Sequence, residues 1–133
     1  MNSLVNTVTI TPIYAALLGL VLLVLSGRVI VAVRAKGVSL GDGDDPDHLP
    51  IIRSQANFIE YVPMILILIG FCEAGGASDG WIHGLGGALL VGRILHPIGF
   101  SGESRLQPGR FAGTVTTLLV LLISSGLLLS QQL

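Results

Sequence analysis

The stretch "RSQANFIEYVPMILILIGFC", residues 53–72, decides how this chain folds. Its second half is apolar without interruption. With Ile51 and Ile52 in front, the run reaches the roughly 20 residues that a helix needs to cross a bilayer. Its first half instead carries Arg53, Gln55, Asn57 and Glu60. Counted from Ile51 at about 1.5 Å of rise per residue, Glu60 lies roughly 14 Å along the helix axis. That depth puts a carboxylate within the hydrocarbon layer, where ionisable groups face a bundle interior or a wet cavity and find partners there. The stretch therefore predicts a spanning helix that carries a functional polar face.

Working outward, three more stretches have the length and apolar character of a span: Ile13 to Val33, Trp81 to Phe100, and Phe111 to Leu129. Of the 133 residues, 51% are hydrophobic and 11% are charged, and mean hydropathy is +0.81. That balance is too apolar for an ordinary soluble domain of this length. The expectation is an all-α integral membrane four-helix bundle. It forms a single domain over residues 1–133, with helices at about 12–36, 48–74, 79–101 and 108–131.

The first stretch has no basic residue ahead of it in "MNSLVNTVTITP", and its apolar run is long, so a cleavable signal is not expected. Thr11 followed by Pro12 reads as an N-cap and first helical position. Cys72, the single cysteine, excludes an intrachain disulfide and reads as packing. The net charge of −1 carries no basic signature, and no nucleic-acid partner is expected.

All seven Lys and Arg residues can be assigned to one side of the membrane. Arg28, Arg34 and Lys36 lie late in the first helix, and Arg53 opens the second. Arg93 lies in the second half of the third, and Arg105 and Arg110 precede the fourth. The positive-inside rule then places both termini on the non-cytoplasmic side and the two longer connections in the cytoplasm.

Arg53, Asn57 and Glu60 fall at i, i+4 and i+7, so they share one helical face, with Tyr61 at its flank. Gln55 points to the opposite side. Pro63 removes one backbone hydrogen bond and loosens the turn that holds Glu60. Arg93 and His96 repeat the pattern in the third helix, followed by Phe100. A purely structural role would have Arg53 and Glu60 neutralise each other, or Glu60 neutralise Arg93, in a buried network. The surplus of cations argues against it: one glutamate faces Arg34, Arg53, Arg93 and Arg110, and a bound anion would balance them.

Gly84, Ala88 and Gly92 form a ridge at spacing four, which lets membrane helices approach closely, and Gly109 with Gly113 repeats it. The loop "GVSLGDGDDPDHLP" does not meet the spacing of a calcium loop, because Pro46 and Arg53 would occupy ligand positions counted from Asp42. No metal is expected. His48 and His83 stand alone and read as interfacial or packing residues.

"RSQANFIEYVP" closely resembles the second-helix signature of the MAPEG family, the membrane-associated proteins in eicosanoid and glutathione metabolism. The signature is an arginine, Asn four residues on, Glu three further and Pro three beyond. The likeness covers nearly the whole chain and includes "GRILHPIGF" in the third helix; the compact chain is similar to the bacterial branch. The resemblance implies a homotrimer in a bacterial inner membrane, with glutathione bound between neighbouring subunits near the cytosolic surface. By position, Arg53, Asn57, Glu60 and Tyr61 match residues that hold glutathione. Gln55 and Arg34 match groups from the neighbouring subunit, and Arg93 and His96 match the third-helix contribution. Arg110 matches the catalytic arginine that stabilises the thiolate.

The chemistry of these side chains agrees with that ligand. Arginine forks pair with carboxylates, a glutamate takes an ammonium, and Asn57 and Gln55 match amides. A cation that lowers a thiol from its ordinary value near 8.5 by about one or two units makes thiolate plentiful at neutrality. The expected activity is a glutathione-dependent transferase or peroxidase acting on lipophilic electrophiles. Where several catalytic members carry a tyrosine, this chain has Phe100, which cannot donate to sulfur. The alternative is accordingly a non-catalytic lipid-binding or scaffold member of the same family. A proton-coupled exporter using Glu60 is disfavoured, because the adjacent arginines would keep that carboxylate ionised.

Overall fold

The computed structural model describes residues 8–37, 46–98 and 107–133. Phe100, Arg105 and Asp42 lie outside them. The described chain forms four helices: α1 (Thr11–Ala35), α2 (His48–Ala74), α3 (Asp79–Ile98) and α4 (Pro108–Gln132). Three of them, α1, α2 and α4, are long and apolar enough to cross a membrane. The expectation of four such spans is corrected for α3. It is interrupted by Asp79, His83, Arg93 and His96, and the last two are buried. A helix that spends polar residues on its inner face loses apolar character by composition while it still packs within the bundle.

Both α2 and α3 touch all three other helices, whereas α1 and α4 do not meet among the described residues. The core runs along α2. Its buried residues Phe58, Val62, Ile65, Ile69 and Cys72 recur at alternating steps of four and three, which places them along one stripe. They pack against Leu18 and Leu25 of α1, Ile82, Leu85 and Leu89 of α3, and Val120 of α4. Met64, Ile67 and Phe71, on another side of α2, are exposed on the single chain. Pro63 sits inside α2, which continues past it.

The closest crossing joins α3 to α4 at Gly92 and Gly113. A Cβ added at Gly113 would lie 2.5 Å from the carbonyl oxygen of Gly92 and 2.8 Å from the Cβ of His96. Only glycine lets the backbones approach this far. Gly84, two turns earlier on the expected ridge, is not used in this way in the single chain. A Cβ at Gly84 would meet nothing within 4 Å; with Ala88, Trp81, Leu119 and Ile123 it lines an open apolar groove between α3 and α4. At the other side of α3, Gly86 lies directly under the ring of Tyr14.

Thr11 is the first residue of α1 rather than its cap. Ile10 holds the N-cap position, with no side-chain hydrogen bond of its own. The acceptors come from Glu73 near the end of α2. Its Oε1 accepts from the N–H of Thr9 at 2.8 Å and of Ile10 at 2.7 Å. Its Oε2 accepts from the N–H of Thr11 at 2.8 Å and its hydroxyl at 2.6 Å. A carboxylate at this end of a helix satisfies orphan N–H groups and meets the positive end of the macrodipole. At the same end, the Tyr14 hydroxyl lies 2.8 Å from His83 Nδ1, and Gln131 Nε2 donates to the Cys72 carbonyl at 3.1 Å. The start of α1 and the end of α4 therefore share one end of the bundle, and Arg34, Arg53, Arg93 and Arg110 lie toward the other.

Candidate functional site

Three helices bring one polar side chain each to a common level: Asn57 from α2, Arg93 from α3 and Thr117 from α4. Arg93 is fully buried. Its Nη1 donates to Asn57 Oδ1 at 2.8 Å and to Thr117 Oγ1 at 3.3 Å. The Thr117 hydroxyl in turn donates to the Gly113 carbonyl at 2.7 Å. The guanidinium carbon lies 5.7 Å from the centroid of the Phe58 ring, a cation–π distance. Arg93 Nε and Nη2 are buried and have no hydrogen-bond partner among the described residues. A buried guanidinium with two open donor nitrogens and no carboxylate bonded to it among the described residues is costly. It suits an arriving anion.

The neighbouring groups extend this centre toward the end where α2 and α4 begin. His96 is buried one turn beyond Arg93, and both Arg93 and Arg110 lie within electrostatic range of it. Tyr61, half-buried one turn beyond Asn57, lies within electrostatic range of Arg93. Arg110 is exposed in the first turn of α4, and its carbonyl accepts the Thr114 hydroxyl at 2.9 Å.

The polar stripe of α2 is divided rather than wholly inward. Asn57 turns toward α3, whereas Arg53 and Glu60 form an ion pair at 3.6 Å, with half of each side chain exposed. At 100° per residue, positions i and i+7 nearly coincide and i+4 lies to one side. The stripe thus straddles the edge of the bundle. Gln55 faces α1, where its Nε2 donates to Ser26 Oγ at 3.4 Å. Arg34 is exposed in the last turn of α1. In the single chain, Asn57, Tyr61, Arg93, His96 and Arg110 gather around the α2–α3–α4 contact, the Arg53–Glu60 pair sits at its outer edge, and Gln55 and Arg34 stand on the side of α1.

Sequence reasoning missed Thr117 and Phe58. In "TVTTLLVLLISS" every hydroxyl can bond back to its own helix, so nothing in the string singles out Thr117 as a partner for Arg93. Phe58 reads as core. Cys72 is buried and donates from Sγ to the Ser124 carbonyl at 3.4 Å, a packing role.

The MAPEG family model matches residues 11–130. Two curated relatives are the inner membrane protein YecN of Escherichia coli strain K12 and that of strain O6:H1 (CFT073). Each is 33% identical over 114 residues, which cover 86% of this chain and 86% of the relative. No solved structure matches significantly. Together with the three apolar helices, these likenesses identify a membrane protein.

Proposed function

The chain belongs to the MAPEG family, and from that premise we propose that it is a membrane-bound, glutathione-dependent transferase or peroxidase acting on lipophilic electrophiles. The observation that carries this reading is Arg93, a fully buried cation whose Nε and Nη2 have no hydrogen-bond partner among the described residues. Glutathione, with two carboxylates, an ammonium and peptide amides, has the chemistry to complete it. Arg93 pairs with a carboxylate through its fork, and Asn57, already bound to Arg93, keeps its amide N–H groups for a peptide carbonyl. Arg53 and Glu60 offer a cation and an anion for the peptide's charged ends, and Tyr61 and His96 flank them. When bound, glutathione supplies the nucleophile, a thiolate that attacks an electrophile arriving from the lipid. Arg110 holds the negative charge on sulfur.

The assembly belongs to the same proposal. The exposed side of α2 carries Met64, Ile67 and Phe71 in line with the half-exposed Arg53–Glu60 pair. An ion pair facing hydrocarbon is unfavourable, and covering this side with further copies removes the cost. A homotrimer with the site between subunits does so, and Gln55 and Arg34 on the side of α1 then serve a neighbour's ligand. The basic end of the bundle faces the cytoplasm, both termini face away from it, and the membrane is a bacterial inner membrane. Membrane lipid and the lipophilic substrate are the remaining partners.

The test is glutathione binding to detergent-purified protein, followed by thiolate absorbance and conjugation of a generic electrophile. Binding that is lost in Arg93→Met supports the reading. Absence of binding at millimolar glutathione sinks it. Binding without any conjugation favours the non-catalytic member of the family.

A further inference from the structure

We propose that Thr117 is a positioning residue that turns the Arg93 guanidinium so that its Nε–Nη2 edge meets a ligand carboxylate. The inference rests on the glutathione reading above and deepens it. The hydroxyl of Thr117 has one proton. The Gly113 carbonyl, 2.7 Å away, can only accept, so that proton goes there. Toward Arg93 Nη1 at 3.3 Å, Thr117 is therefore an acceptor. Asn57 Oδ1 accepts from the same nitrogen at 2.8 Å.

Nη1 carries two N–H groups, and these two acceptors, one on α2 and one on α4, use both. Phe58 lies beside the guanidinium with its ring centroid 5.7 Å from Cζ. With Nη1 fixed from two helices, the plane of the guanidinium cannot rotate freely. The donors left over are those of Nε and Nη2, which are buried and unpartnered among the described residues. That edge presents two parallel N–H groups, the geometry that binds a carboxylate in bidentate fashion. Without the Thr117 hydroxyl, the second N–H of Nη1 loses its acceptor, and the guanidinium gains an orientation in which the edge turns away from the ligand.

The experiment compares wild type, Thr117→Val and Thr117→Ser in detergent by calorimetric titration. Each is titrated with glutathione and with glutathione esterified at both carboxylates. Valine keeps the shape and removes the hydroxyl; serine keeps the hydroxyl. The expected result is that wild type prefers glutathione to the diester, that Thr117→Val reduces glutathione affinity about tenfold with little change for the diester, and that Thr117→Ser retains the preference. A merely structural role would lower both ligands together and would overturn the inference. Undiminished preference in Thr117→Val would overturn it too, while leaving the glutathione reading in place. Failure of wild type to bind glutathione would remove that reading and this inference with it.

Discussion

Glu73→Ala is the perturbation whose cost can be worked most fully from the structure. The carboxylate receives four hydrogen bonds from Thr9, Ile10 and Thr11, and Ile10, Thr11 and Glu73 are all buried. Thr9 is exposed and regains a partner from water, so its loss is small. The N–H groups of Ile10 and Thr11 remain buried without acceptors, at about 1–3 kcal/mol each, and the charge–dipole contact adds about 0.3–1 kcal/mol. Allowing for local fraying that readmits water, the substitution destabilises the bundle by about 3 kcal/mol, or roughly 10 °C in Tm for a chain of this size. Glu73→Gln recovers one acceptor but brings an NH2 group toward donors, so it lies between the two. Thermal unfolding of detergent-solubilised protein reads these values. Glutathione binding to whatever remains folded stays near wild type, because Glu73 and Arg93 lie toward opposite ends of the bundle. A Glu73→Ala protein within about 0.5 kcal/mol of wild type would refute the idea that this carboxylate ties α1 to α2.

Other substitutions probe the crossing, the site edge and the assembly. Gly113→Ala forces a Cβ against the Gly92 carbonyl and His96; it costs about 1–3 kcal/mol by thermal unfolding. Gly84→Ala, with nothing within 4 Å, stays within about 0.5 kcal/mol. Arg110→Ala keeps most of the glutathione affinity and lowers conjugation by tenfold or more, about 1.4 kcal/mol of transition-state stabilisation; equal conjugation rates would remove Arg110 from thiolate stabilisation. In a Cys72→Ser background, a cysteine at Ile67 should cross-link between copies in membranes under mild oxidation. A monomer throughout would exclude a trimer in which Ile67 of one copy faces Ile67 of the next.

The fold class was legible because bilayer physics leaves few options: long apolar runs with short connections can only be helices. The weak point was α3, where Arg93 and His96 lie inside the bundle and subtract from the very signal that marks a span. The candidate site was legible in residue type, since deep polar groups on α2 and α3 are costly unless partnered. Its orientation was less so. Helical periodicity places Arg53, Asn57 and Glu60 on one stripe but does not say where the bundle edge cuts it, and that edge separates Asn57 from the Arg53–Glu60 pair. Thr117 and Glu73 were hidden for different reasons. A hydroxyl in a membrane helix commonly bonds its own backbone, and a glutamate at the end of a span reads as interfacial. Their partners, Arg93 and the start of α1, lie 24 and more than 60 residues away in sequence, a distance that local patterns do not register.

The proposed function rests on Arg93 as an anion-binding cation completed by glutathione. Calorimetric titration of the detergent-purified protein with glutathione, beside Arg93→Met, tests it most directly. Saturable binding is expected in the wild type at or below millimolar glutathione, with its loss in the folded variant. Equal binding by both proteins, or none by either, would contradict it.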